Sequence, residues 1–570
     1  MKNSDFALVV AVGLACSTRS LAAEPASVAA AAAADSFPVT IRVDAAVVKG
    51  ELHPIWRFFG YDEPNYTYMK DGKKLLSELG QIGSPQVFVR THHLLTSGDG
   101  SPALKWGSSG AYSEDPGGKP VYNWEILDRI FGTYLERGLR PYVQIGFMPE
   151  ALSSHPQDYP HNPPREKRAP VSAGQAYPPN DYSKWGELCF QWARHCVEKY
   201  GRAEVEKWYW EVWNEPNIGY WKARPEDYFK LYDFAIEGVR RALPTARVGG
   251  PEVAGGGNKF LRDFLEHCVR GTNFANGKMG APLDFIAFHA KGNPRFVEGH
   301  VRMGIANQLQ DIERGAAIVA SFPELKSKPI VIGESDPDGC AACPASEFPQ
   351  NGYRTGPLYA SYTAASFARK YDIADKYGVN LEGALTWAFE FEDQPFFAGF
   401  RVLASNGLDL PVLNTFRMMG KMSGQRVAAV SSADAGSESI RQKGVRESAD
   451  VAALASTDGK KLCVLVWHYH DDDVAGPEAA VELELAGLGV RNGTASVQHY
   501  RIDEQHSNSF AAWKRMGSPP QPTAQQYAEL EKAGQLTRLQ SDETVRFSDG
   551  RATLRFKLPR QSVSLLVLGF

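Results

Sequence analysis

Two glutamates in this sequence directly follow runs that read as buried strands. Trp208-Tyr209-Trp210-Glu211-Val212-Trp213 leads into Asn214-Glu215-Pro216, where Pro216 cannot extend a ladder and fixes a turn. Pro329-Ile330-Val331-Ile332-Gly333 leads straight into Glu334. A carboxyl delivered by an apolar strand points into an enclosed mouth, not into bulk water. Two such groups, facing each other, are what the hydrolysis of a glycosidic bond needs. One protonates the leaving oxygen, and the other attacks or stabilises the anomeric carbon. A separation of roughly 5–5.5 Å retains configuration, whereas a wider gap admits water and inverts it.

For the two glutamates to meet, their strands must belong to one sheet. Strand-like runs fall at 56–61, 86–91, 140–146, 208–213, 247–251, 284–289, 329–334 and 383–389. Amphipathic stretches separate them, for example 124–137, 182–200, 225–242 and 359–377. Eight such units predict an α/β fold, a closed (β/α)8 barrel spanning 52–418, with catalytic groups at the C-terminal ends of its strands. Strands four and seven then face each other across the mouth. No Gly-rich dinucleotide fingerprint follows the first run, which counts against an open Rossmann sheet. Gly249-Gly250 and Gly255-Gly256-Gly257 lack phosphate-loop spacing and read as turn glycines. Beyond about residue 420 the pattern changes to short alternating runs at 463–469, 480–485, 495–502, 552–558 and 563–570. These predict an accessory all-β sandwich over 419–570. Residues 37–51 also alternate and are expected to return to it as a strand. The polar stretch 506–544 reads as a helical or loop insertion.

Composition bounds the remaining possibilities. At 570 residues the chain is too long for one core. Its net charge of −4 gives no basic footprint for nucleic acid. No apolar run long enough to span a membrane follows the N-terminus. Residues 1–23 read as an export signal, with Lys2 ahead of a short apolar core and small residues at Ser20-Leu21-Ala22. An Ala-rich tether over 24–36 follows, so the chain is expected to be periplasmic or secreted. Cys340 and Cys343 are the one close cysteine pair and suit a local disulfide in an exported protein. The other cysteines past the leader read as buried thiols. No second Cys pair or His cluster has metal spacing, so neither metal nor cofactor is expected. Oligomeric state is not legible.

At the catalytic candidates the chain resembles a known family. Trp213-Asn214-Glu215-Pro216-Asn217 is similar to the acid/base motif of barrel glycosidases whose acid follows strand four and whose nucleophile follows strand seven. Arg90-Thr91-His92-His93-Leu94-Leu95, Gly146-Phe147-Met148-Pro149-Glu150-Ala151-Leu152 and Gly249-Gly250-Pro251 narrow the match to glycoside hydrolase family 39, the β-xylosidases and α-L-iduronidases. The similarity runs through roughly residues 50 to 420. It implies Glu215 as acid/base, Glu334 as nucleophile and an oligosaccharide substrate. Asn214 would hold the sugar 2-hydroxyl, while His92 and His289 would contact hydroxyls or the nucleophile. Trp387 could stack on the sugar or serve the core, and Glu392 is expected to bind distal hydroxyls.

The resemblance divides where the sugar is chosen. Phe288-His289-Ala290-Lys291-Gly292 and Glu334-Ser335-Asp336-Pro337 look like the iduronidases, and Lys291 could pair with a substrate carboxylate or with a neighbour in the fold. The third-strand loop and the acidic group after Trp387 look like the xylosidases. The first expectation is a retaining β-D-xylosidase acting at non-reducing ends, and the second a uronide hydrolase. A binding protein on an inactive barrel would have lost a glutamate, and both are present. A metal-dependent hydrolase would need His and Asp clustered on several strand ends, where only His92, His93 and His289 are scattered.

Overall fold

The structure is a computed structural model that describes residues 36–82, 86–161, 170–541 and 543–570. The leader and nearly all of the tether lie outside these residues. The central sheet is parallel and built from β1 (Phe58–Tyr61), β2 (Phe88–Thr91), β3 (Arg140–Ile145), β4 (Tyr209–Val212), β5 (Arg247–Val253), β6 (Phe285–Lys291), β7 (Pro329–Asp336) and β8. The last strand comes in two pieces. Asn380–Ala384 pairs with β7, and Thr386–Trp387 pairs with β1, which closes the barrel. Leu385 between them turns both backbone groups to β7, donating to Ile332 and accepting from Ser335.

Eight helices ring this barrel: α1 (Lys70–Gly80), α2 (Glu125–Glu136), α3 (Tyr182–Tyr200), α4 (Pro225–Ala242), α5 (Lys259–Arg270), α6 (Ile305–Ala320), α7 (Pro357–Tyr377) and α8 (Pro411–Met419). Their starts follow from ordinary caps. The Asp181 carboxylate accepts from the Ser183 and Lys184 amides ahead of α3, and Pro225 opens α4. Close packing of α3 on α4 depends on glycine, since a Cβ on Gly238 would lie 2.2 Å from the Gly186 carbonyl.

Alternation along the strands stacks the barrel interior in layers. Phe58, Phe88, Tyr142, Tyr209 and Phe285 plug its lower part, with ring centroids about 5–6 Å apart. Two residues further along, the same faces carry Arg90 on β2 and Glu211 on β4. Further still come His92, past the end of β2, and His289 on β6. In β7 the register shifts between Ile332 and Glu334. That shift puts Glu334 on the inward face after Val331 and Gly333.

The strands of the second unit join in one ten-stranded hydrogen-bonded array, and residues from along it, among them Val39, Val427, Val464, Val481, Val497 and Leu566, meet in one buried core. Phe37–Glu51 lies inside it, antiparallel to Gln425–Ser431 and parallel to Ala479–Ala486. Two strands, Gln425–Ser431 and Asp450–Thr457, precede the first one expected. Within the 506–544 insertion are helices Ser509–Arg515 and Ala524–Gly534, followed by Thr537–Arg538. The next strand, Glu543–Phe547, begins at its end and adds to the sheet. The insertion also grips the barrel, where the Asn414 amide donates to the Gly534 carbonyl and the Tyr527 hydroxyl to the Asn406 carbonyl. Helix α7 is buried nearly all round because it lies between barrel and sheet. Ser361 bonds Gln561, and Arg369 reaches Asp434 and Asp450. Cys340 and Cys343 are disulfide-bonded, whereas Cys189, Cys196, Cys268 and Cys463 are buried thiols.

Candidate active site

The backbone after β4 takes an unusual path. Trp213 and Glu215 both have positive φ, 73° and 44°, each costing on the order of 1–3 kcal/mol. Neighbouring strands hold them there. The Trp213 amide donates to the Ile145 carbonyl on β3, and the Glu215 amide to the Glu252 carbonyl on β5. Glu215 thereby presents its side chain to the mouth, where it stays partly open to solvent. Glu334 is almost enclosed, with 7% of its side chain exposed. One carboxylate oxygen of each glutamate and one nitrogen of His289 lie within 4.8 Å of one another.

Positive charge surrounds Glu334. Lys291 Nζ is 2.7 Å from Oε2, while Arg90 Nη1 lies 3.5 Å and His92 Nε2 and His289 Nδ1 lie 3.8 Å from Oε1. Burial alone would push this carboxyl up. The charges of Lys291, His289, His92 and Arg90 outweigh it and hold Glu334 well below the usual carboxylate range. A carboxylate held in its ionised form and shielded from bulk water can act as a nucleophile.

His289 is fully buried. Its Nδ1 lies 2.9 Å from Glu215 Oε1, and its Nε2 lies 3.0 Å from Glu252 Oε2. Burial favours the neutral ring, but Glu334, Glu215 and Glu252 overcome it and raise the imidazole to about 9. His92 behaves differently. Burial draws it below its usual value although Nδ1 faces Asp62 at 2.8 Å. Asp62 also takes Lys105 Nζ at 2.7 Å. Asn214 accepts from Arg90 Nη2 at 3.0 Å, and its buried Nδ2 has no partner among the described residues, which leaves the amide nitrogen free to donate to a substrate hydroxyl. A cavity of about 730 Å³ opens between the loops after β2, β3, β7 and β8, lined by Lys105, Val171, Cys340, Glu347, Pro395 and Phe400.

Three of the residues expected above make their contacts within the fold, and for Lys291 and Trp387 these favour the second of the two roles left open. Lys291 is engaged by two carboxylates, Glu334 and Asp336, each at 2.7 Å. Trp387 is 1% exposed, donates its indole N–H to Asp62 and packs against His92 and the Arg90 guanidinium. It supports the histidine rather than presenting a face to sugar. Glu392 accepts from the Asp71 and Gly72 amides and satisfies orphan donors at the start of α1. Sequence reasoning misses Asp62, Arg90, Glu211, Glu252 and Asp336 as parts of the site. Each carries a charge on or next to a strand whose signal in the sequence is its apolar residues.

Residues 39–542 match the model of the glycosyl hydrolases family 39. The chain belongs to this family. A β-xylosidase of Geobacillus stearothermophilus is 27% identical over 463 residues, which cover 79% of this chain and 81% of the relative. An α-L-iduronidase of Mus musculus is 26% identical over 589 residues, 95% of this chain and 82% of the relative. The crystal structure of a monomeric β-xylosidase from Caulobacter crescentus CB15 superimposes with a TM-score of 0.71 at 20% identity, covering 93% of this chain and 99% of that one. This family-39 chain is therefore a glycosidase, and the same fold recurs across the group. Among its described residues no helix is long and apolar enough to cross a membrane.

Proposed function

We propose that this glycosidase is an exported, retaining β-D-xylosidase that trims non-reducing ends of xylo-oligosaccharides. The observation that carries the reading is that one carboxylate oxygen of Glu215 lies within 4.8 Å of one of Glu334, which supports the closer, retaining arrangement over the wider, inverting one. Glu334 attacks the anomeric carbon while Glu215 protonates the departing oxygen, which leaves a glycosyl ester on Glu334. Glu215, now a carboxylate, takes a proton from water, and that water releases the sugar and frees Glu334. The unpartnered Asn214 Nδ2 supports a bond to the 2-hydroxyl, where a hydrogen bond strengthens in the transition state.

The xyloside is preferred because Lys291, the cation that the resemblance offers to a uronate, is engaged by Glu334 and Asp336. The disulfide Cys340–Cys343 supports export. A second reading, an α-L-iduronide, keeps the same machinery and is favoured by the extent of the match to the iduronidases. Initial rates on aryl β-xyloside, β-glucoside, α-L-arabinofuranoside and α-L-iduronide separate them. Fastest turnover of the xyloside is expected, and fastest turnover of the iduronide would replace the first reading by the second.

A further inference from the structure

Beneath the two glutamates lies a second pair of carboxyls that the mechanism above does not use. Glu252 on β5 and Glu211 on β4 are both fully buried. Glu252 has a positive φ of 54°, a conformation that turns its side chain inward. There it accepts from the Tyr142 hydroxyl at 3.0 Å, lies 3.9 Å from Arg90 Nε and meets His289 Nε2 at 3.0 Å. Glu211 takes Arg90 Nε. Burial and Glu252 push Glu211 well above the usual range despite Arg90, whereas Arg90, Glu211 and His289 bring Glu252 below it.

We propose that Glu252 is a positioning residue that keeps His289 as an imidazolium, with its Nδ1–H aimed at Glu215. The roles of Glu215 and Glu334 come from the reading above; the contact between Glu252 and His289 does not depend on it. The groups facing the ring are Glu215, Glu252 and Glu334, with Arg90 beside two of them and Tyr142 and Glu211 behind Glu252. Arg90 lies beside Glu252 and Glu334, and Lys291 bridges Glu334 and Asp336, while His289 faces Glu252 with one ring nitrogen and Glu215 with the other. With Nδ1–H bonded to Oε1 of Glu215, the other oxygen is left to present the proton of the proposed acid role to the leaving group. Loss of the Glu252 charge would let His289 become neutral, and a neutral Nδ1 would compete for the proton itself.

The test labels histidine with 15N in the full chain and follows the His289 ring nitrogens against pH in wild type, Glu252→Gln and Glu252→Asp. Alongside it runs the pH profile of kcat/KM on the best aryl glycoside. The wild-type ring is expected to be doubly protonated at pH 7 and to titrate near 9. In Glu252→Gln it should titrate at least one unit lower. The alkaline limb of the profile should move with it, and kcat on poor leaving groups should fall by up to about 100-fold with little change in KM. Glu252→Asp keeps the charge and should keep the ring titrating above that of Glu252→Gln, which a role in packing alone would not do. A His289 ring that is neutral at pH 7 in wild type, or that titrates alike in all three proteins, would overturn the proposal. Because the spectra need no turnover, they decide this point even if every glycoside tried is refused.

Discussion

Replacing Glu334 by alanine should abolish turnover, and azide should restore it as a glycosyl azide of inverted configuration. Retention of more than a small fraction of activity would remove Glu334 as nucleophile. Glu215→Ala should slow poor leaving groups most, because activated aryl glycosides need little protonation. Equal losses across leaving groups would count against its role as acid. Lys291→Ala removes the nearest charge from Glu334, so the acid limb of kcat/KM should move up and both xyloside and iduronide should suffer by at least about tenfold, one pKa unit or more of differential interaction. A loss confined to the iduronide would show instead that Lys291 serves a substrate carboxylate. The raised His289 value has its own signature in stability. A folded value near 9 against about 6.5 unfolded gives a contribution present in full below about pH 6.5 and lost as pH climbs through 9. A denaturation series should show that decline, flattened in His289→Gln. At this scale the sequence singles out Glu215 and Glu334 because each follows an apolar strand, and His289 through the family resemblance, and the structure brings the three within 4.8 Å of one another. The sequence conceals what Lys291 and Glu392 do. Lys291 is occupied by Asp336 on the neighbouring strand, and Glu392 by a helix more than 300 positions away. Neither partner is visible locally.

Strand ends decide whether these side chains converge. The sequence places β7 at the right residues but not its register shift, without which Glu334 would face the helices. Gly333 within that stretch is required, since a Cβ there would lie 1.6 Å from Glu252 Oε2. Gly333→Ala should therefore cost about 1–3 kcal/mol in stability by overpacking, and it should displace Glu252 and lower kcat. An unchanged melting temperature with full activity would contradict this packing. Helices α3 and α4 are legible to the residue because Asp181 and Pro225 mark their starts. The eighth strand is not, since its break at Leu385 depends on hydrogen bonds to β7 and not on any local signal.

In the whole molecule, the barrel and the β-sheet share α7. Arg369 is buried between Asp434 and Asp450, and Asp450 also takes the Trp467 indole N–H. Arg369→Ala leaves Asp450 without its cation and should cost about 3 kcal/mol. A single, lowered melting transition is expected, and two separated transitions in the wild type would contradict a shared core. The sheet is only partly legible. Gln425–Ser431 escapes a sequence reading because Val427 alone is buried in it, so no alternation shows. Phe37–Glu51 is visible because Val39, Ile41 and Val43 alternate into the core.

The central claim is that Glu215 and Glu334 carry out a double displacement, and the stereochemistry of the first product tests it most directly. Proton NMR during the first turnovers of the best substrate should show the released sugar with the anomeric configuration of the glycoside, followed by slow mutarotation. A first product of opposite configuration would contradict the account, because it would require water, not Glu334, to attack the anomeric carbon.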